Sequence, residues 1–207
     1  MEVPPLGKPP RTDVLIPTLK TEEEIAPLAR DIGCAAGVPV RVFASCTKAS
    51  ASVNRNLCLE QAVSPVVLML DDDITGLPVG WARRMLDVMW LHPDCVMCSP
   101  RLINQDGSPG IMVGNPHPHG QGCEVLRLRE LPTACIAIRN DGTRFDEQYR
   151  GSGFEDNDYC RQLRDTYPAA QFICIHDLQV IHRNEAKNQR GENWKHNEAY
   201  YKQKWGL

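Results

Sequence analysis

Apolar residues come in short unbroken runs over the first hundred positions, each run closed by a turn or a polar cluster. Asp13-Val14-Leu15-Ile16, Val40-Arg41-Val42-Phe43-Ala44, Val66-Val67-Leu68-Met69-Leu70 and Cys95 to Pro100 are of strand length and rich in β-branched residues. Between them the spacing turns helical. One helix is predicted from a Thr21 cap through Glu22-Glu23-Glu24 to about Asp31, stopping at Gly33, with a kink at Pro27. A second runs from about Val53 to Ala62 and ends at Ser64-Pro65; a third runs from about Val79 to Leu91, with Trp81, Met85, Val88 and Met89 on one core-facing stripe. Strands alternating with helices predict an α/β fold, a mostly parallel central sheet flanked by helices on both faces.

The second half is richer in strands. Glu124 to Leu128, Thr133 to Arg139, Gln171 to Ile175 and Gln179 to His182 have strand character, and Phe154 to Arg164 is a helix with Glu155, Asp156 and Asp158 in its first turn. Those acids suit a helix dipole, and Asp158 stands at the spacing for a surface pair with Arg161. Arg101 to Gly122, full of Gly, Pro, Asn and His, is a long loop of the length that in a compact domain is functional or mobile. After a polar connection, Trp194, Tyr201 and Trp205 mark the apolar face of a last helix, with Tyr200 at its edge. Such a helix is compatible with a membrane surface, but docking onto the domain is its expected use.

The run Val66 to Leu70 passes directly into Asp71-Asp72-Asp73. A strand buried on both faces ends where open α/β sheets bind ligands, just outside the carboxyl edge. Three adjacent carboxylates at such a place repel one another and call for a cation, for which oxygen-seeking Mg²⁺ or Mn²⁺ is the natural choice. A solvated Asp-rich turn is the competing reading.

Composition narrows the classes. The net charge of −3 and the absence of a basic block argue against a nucleic-acid partner. No apolar run approaches the roughly 18 residues of a membrane span. Met1 to Arg11 holds Pro4, Pro5, Pro9 and Pro10 and lacks an apolar stretch, so it is expected to be a loose leader rather than a secretory signal, ahead of a single domain over residues 12–207. The nine cysteines are odd in number and several lie inside apolar runs, which favours a reduced, cytoplasmic protein. A zinc site assembled from Cys95, Cys98, His117, His119 and Cys123 is conceivable, but a strand through Cys95 to Cys98 would point those two thiols to opposite faces.

In order along the chain stand Pro17-Thr18 at the end of the first strand, Ser52-Val53-Asn54-Arg55-Asn56, and Leu70-Asp71-Asp72-Asp73. Phe145-Asp146-Glu147, Gly151-Ser152-Gly153-Phe154-Glu155-Asp156-Asn157-Asp158, His182 and Lys204-Trp205-Gly206 follow. Together they resemble a GT-A fold glycosyltransferase of the family 2 type, and the acidic run is similar to the Gly-Trp-Gly-Gly-Glu-Asp-Asp-Asp segment of β-1,4-galactosyltransferases. The resemblance implies a metal-dependent, inverting transfer of a sugar from a nucleotide-diphosphate sugar, UDP being the expected nucleotide, to a carbohydrate or other acceptor hydroxyl. It makes Asp73 and His182 metal ligands with Asp71 at or just behind them, in a site for Mn²⁺ or Mg²⁺. Asp156 becomes the base, and Glu155 orients the acceptor. Pro17, Thr18, Asn54, Arg55, Asp71 and Asp72 contact the nucleotide. Residues 12–100 would form the nucleotide-binding half and 101–207 the acceptor and metal half.

The chain departs from that pattern in two places. Ala44-Ser45-Cys46-Thr47 has no acid after the second strand, and Ser152 replaces the Trp of the galactosyltransferase segment, so the acceptor platform must differ. The chain is short for the family, so an added acceptor domain or membrane anchor is not expected within it, while the loop from Arg101 to Gly122 is expected to form part of the acceptor wall or a lid. His182 taken alone also fits a hydrogen-bonded core histidine. Competing functions are a nucleotide-sugar-binding protein of the same fold without transfer, a sugar nucleotidyltransferase, for which Pro17-Thr18-Leu19-Lys20 offers no Gly-rich loop, and a zinc-stabilised interaction module.

Overall fold

Strand β1 (Thr12–Thr18) pairs in parallel with β2 (Val40–Cys46) on one side and with β3 (Val66–Leu70) on the other. The structure, a computed structural model, describes residues 11–110, 125–184 and 191–207. All five residues of β3 are buried, and its far edge takes β7 (Cys135–Arg139) antiparallel. β7 joins β5 (Cys95–Ile103), which runs parallel to β8 (Gln171–His182). The short β4 (Ile74–Thr75) and β6 (Val125–Leu128) pair antiparallel with opposite ends of β8. The order is β2-β1-β3-β7-β5-β8-β4, with β6 beside β8.

Alternation along the central strands divides the core between two faces. Val14, Ile16, Leu68 and Leu70 pack with Ile25 and Ile32 of α1 (Glu22–Ala35) and with Trp81, Met85 and Met89 of α3 (Trp81–Leu91). Leu15, Val67 and Met69 face the other way, onto Cys58 and Leu59 of α2 (Ala51–Glu60) and Tyr159 and Leu163 of α4 (Glu155–Thr166). The expected α/β sheet with helices on both faces is therefore present. α5 (Gly191–Trp205) docks on the domain, as its aromatic face predicts. Among the described residues no helix is long and apolar enough to cross a membrane.

Several boundaries differ from the sequence reading. Thr21 forms a full capping box with Glu24, but α1 runs through Pro27 and past Gly33 to Ala35. Its end is fixed from outside. The carbonyls of Ala35 and Ala36 accept N–H groups of Gly80 and Arg83 at 2.7 and 3.1 Å, so α3 caps α1. The turn residue is Gly37 at φ 72°, where a Cβ would stand 2.7 Å from the Gly80 backbone. Gln171 to His182 is one strand rather than two, because β5 continues through Arg101-Leu102-Ile103 beside it and a register shift at Pro100/Arg101 takes up the mismatch. The first part of the predicted Arg101–Gly122 loop is thus strand; residues 111–122 lie outside the described residues.

Cys95 and Cys98 do not point to opposite faces. A second register shift between Cys95 and Met97 rotates the strand, and both thiols enter the same core cluster. Burial, followed by the Cys95 thiol, pushes the Cys98 thiol well up. Their proposed zinc partners His117, His119 and Cys123 lie outside the described residues.

Candidate functional site

Beyond Leu70 the backbone leaves the sheet in a tight turn. Asp71 N–H donates to the Ala134 carbonyl at 2.8 Å, and Ile74 N–H returns to the Asp71 carbonyl at 3.2 Å. The chain then enters β4, where Ile74 pairs with His182, and Arg183 N–H donates to the Asp73 carbonyl at 3.2 Å. That two-residue ladder carries Asp73 to the end of β8. His182 Nε2 stands 3.3 Å from Asp73 Oδ1, and the two side chains are 19% and 9% exposed. Asp71, Asp73 and His182 each offer a ligand atom, and these atoms all lie within 4.8 Å of one another. Two carboxylates and an imidazole at that separation fit a divalent cation.

The same turn sends the middle acid the other way. Thr18 Oγ1 donates to Asp72 Oδ2, and Lys20 Nζ lies 3.4 Å from Asp72 Oδ1. Asp72 is thereby tied to the end of β1, beside Pro17, which is in register with Ser45. Burial holds the Asp71 carboxyl above the ordinary aspartate range; Arg55 and His182 pull against that, and the charge of Asp73 adds to it.

Arg55 comes from α2, which buries Ser52, Asn54, Arg55 and Asn56 in its first two turns ahead of the apolar Cys58 and Leu59. Its guanidinium reaches Glu155 Oε1 at 2.9 Å and Asp71 Oδ1 at 3.2 Å, with the Phe145 ring 5.4 Å away. Burial opposes its charge, but Asp71, Glu155 and Asp156 overcome the penalty and hold the proton more tightly than on a free arginine. Its two neighbours secure loops. Asn54 accepts from Ser45 Oγ at 3.3 Å and from Thr47 Oγ1, and donates to the Thr47 carbonyl at 3.1 Å. Asn56 accepts the Phe145 N–H and donates to the Phe145 carbonyl, both at 2.9 Å, and to Glu147 at 2.8 Å. Of the residues expected at the nucleotide, Arg55 and Asp71 therefore join the central cluster, Thr18 and Asp72 pair beside it, and Asn54 shapes the loop after β2.

The second acidic run begins α4. Glu155 is 4% exposed, and Gly153 N–H donates to its Oε2 while Arg55 holds Oε1. Asp156 is half-buried, its Oδ1 accepting the Asn157 N–H at 2.9 Å. Asp158 makes no surface pair with Arg161. It is fully buried and accepts from Lys204 Nζ at 2.9 Å and Trp205 Nε1 at 2.8 Å, because α5 covers this side of α4. Lys204 also reaches Asp146 at 2.6 Å, and the guanidinium of Arg161 lies over the Trp205 ring instead.

Two contributors escaped the sequence reading. Asn197, fully buried, accepts from Arg150 N–H and donates to the carbonyls of Arg150 and Gly153, all at 2.9 Å. It clasps the loop that leads into Glu155. The signal was there: Trp194, Asn197 and Tyr201 share a helical stripe, and an amide on an aromatic stripe needs buried partners. The other is the Lys204 bridge between Asp146 and Asp158.

No family model and no curated protein sequence matches the chain. Solved structures do. GalNAc-T7 with UDP, GalNAc and Mn²⁺ is 14% identical with a TM-score of 0.61 over 93% of this chain and 41% of its own. Staphylococcus aureus TarS 1–349 in complex with UDP is 15% identical at a TM-score of 0.56, covering 86% of this chain and 62% of that one. A mycobacterial protein is 12% identical at 0.61, covering 95% and 75%. The fold is GT-A, and the chain spans about two-fifths of the length of the GalNAc-T7 structure.

Proposed function

We propose that this chain is a metal-dependent, inverting glycosyltransferase that moves a sugar from a nucleotide-diphosphate sugar, UDP being the nucleotide, to an acceptor hydroxyl. The convergence of Asp71, Asp73 and His182 at the carboxyl end of β3 carries the reading. The GT-A fold shared with structures that hold UDP, one of them also with Mn²⁺, supports it. Asp71, Asp73 and His182 would hold the cation, and the imidazole favours Mn²⁺ over Mg²⁺. When bound, it supplies positive charge to a diphosphate leaving group.

The chain's own residues divide the remaining work. Asp156, half-buried in the first turn of α4, takes the proton of the attacking hydroxyl. Glu155 is a positioning residue: with both oxygens engaged by Arg55 and the Gly153 N–H, it fixes the turn that presents Asp156. Arg55 works through Asp71 and Glu155, keeping one aimed at the cation and the other at the loop.

A panel of nucleotide sugars with Mn²⁺ tests this by thermal shift and by nucleotide release. Wild type gains melting temperature only with metal and donor together. Asp156→Asn retains that gain but loses turnover by about 10²–10⁴-fold. A wild type indifferent to metal and donor sinks the reading, and undiminished release by Asp156→Asn removes Asp156 from its role.

A further inference from the structure

An aromatic patch stands beside the second acidic run. Trp194, in the first turns of α5, lies across Gly153, where an added Cβ would stand 2.7 Å from Cε3 and 3.1 Å from Cζ3 of its ring. The same indole is 39% exposed. The Phe154 ring lies 4.8 Å from it, and Tyr201 lies 5.6 Å from Phe154, so three rings form one surface. Phe154 holds its place at a cost. Its φ is 66°, a left-handed conformation that suits glycine, and the loop already uses glycine at 151 and 153 with φ of 57° and 114°. A bulky ring kept where the backbone favours no side chain points to a use for the ring.

The patch is close to the proposed base. Gly153 and Asp156 are three residues apart, so their Cα atoms are separated by at most about 11 Å. Polar groups border it: Ser152, half-buried, and Asn193, whose Nδ2 lies 2.9 Å from where a Gly151 Cβ would be. A flat, partly exposed indole with a polar rim matches a hexopyranose, which presents a face of C–H bonds ringed by hydroxyls.

We propose that Trp194, backed by Phe154 and Tyr201, is the stacking platform for a pyranose ring of a saccharide acceptor, an assignment that rests on the transferase reading above. The platform is supplied by the last helix rather than by the acidic run, and Gly153 is what lets the indole lie against that run.

Saturation-transfer NMR on the full chain with Mg²⁺ and UDP tests it. The probes are the methyl β-glycosides of glucose, galactose and N-acetylglucosamine, run separately at millimolar concentration. Wild type saturates the ring C–H protons of at least one glycoside. Trp194→Leu, which keeps apolar cover over Gly153, binds it roughly tenfold more weakly, and Trp194→Phe, which keeps a flat ring, retains most of the affinity. The thermal shift given by UDP and metal is the same in all three proteins. The proposal falls if no glycoside is saturated by wild type, if Trp194→Leu matches wild type, or if Trp194→Leu weakens UDP instead, which would make the platform a base site. Absence of any UDP and metal shift alongside a Trp194-dependent glycoside signal would overturn the transferase reading and leave the platform standing.

Discussion

Three carboxylates follow one another at Asp71-Asp72-Asp73, and three crowd the first turn of α4 at Glu155, Asp156 and Asp158; the two runs settle the same repulsion by different geometry. The first lies in the tight turn between β3 and β4, which sets Asp71 and Asp73 on the side of the candidate cation site and Asp72 against Thr18 and Lys20. The second lies on a helix, where successive side chains fan around the axis: Glu155 goes to Arg55 and Asp158 to Lys204 and Trp205. Partners of the first run come largely from β1 and β8, and its geometry is set by sheet register. Partners of the second come from α2 and α5, and its geometry depends on how helices dock. The proposed metal acids are thus fixed by the central sheet, and the proposed base by a more peripheral clasp. Among the described residues, Arg55 is hydrogen-bonded to both runs.

Breaking the runs at that shared point has the largest expected effect. Arg55→Met leaves Glu155 buried beside a missing cation, which costs about 3–5 kcal/mol. Chemical denaturation would show the loss, and a Glu155→Gln/Arg55→Met double variant should recover part of it because the orphaned charge is gone. Next comes Asp73→Ala, set against Asp72→Ala. Removing the charge stabiliser should lower turnover by about 10²–10³-fold and abolish Mn²⁺ binding measured by electron paramagnetic resonance. Asp72→Ala, on the opposite side of the turn, should leave Mn²⁺ binding near wild type. Equal losses from the two would mean that the turn does not sort the run. A smaller effect is expected in the second run. Asp158→Asn weakens buried bonds to Lys204 and Trp205 and should cost about 1–3 kcal/mol in thermal unfolding, with Mn²⁺ affinity unchanged.

How far each run could be read from sequence follows the same division. Val66 to Leu70 is an unbroken apolar strand, so the position of Asp71-Asp72-Asp73 at its tip needed no tertiary knowledge. The arrival of His182 did. β4 is two residues long and has no period to read, so only the order of motifs suggested the pairing that brings His182 to Asp73. In the second run local spacing misled. Asp158 and Arg161 stand correctly for a helical pair, yet partners about 46 residues away in sequence, on a helix packed alongside, prevail. Gly33 failed as a helix stop for a similar reason, since the backbone of α3 supplies the cap. Local rules located the elements; contacts between distant elements decided what each acid does.

The smallest expected effect is a pH dependence confined to the α5 clasp. Asp146 is partly buried, which alone would raise its carboxyl, but bonds from Lys204, the Gln148 N–H and Tyr200 outweigh that and hold it below the ordinary value. Burial pulls the Lys204 ammonium down, and its bonds to Asp146 and Asp158 more than restore it, so its proton is held more tightly than usual. A carboxylate lowered on folding stabilises the fold above its unfolded value, about 4, and that contribution is lost as pH falls through the lower folded value. A raised lysine contributes fully below about 10.5 and loses its contribution as pH rises through the higher folded value. The clasp is therefore at full strength between those limits and weakens on both sides, by about 1 kcal/mol or less. Indole emission near α5 reports it. In wild type, acidification below about pH 4 should change emission before far-UV ellipticity falls, whereas Lys204→Met should show the altered emission already at neutral pH. If emission and ellipticity instead change together in both proteins, α5 is as firmly held as the sheet, and the contrast between a register-fixed run and a docking-fixed run fails.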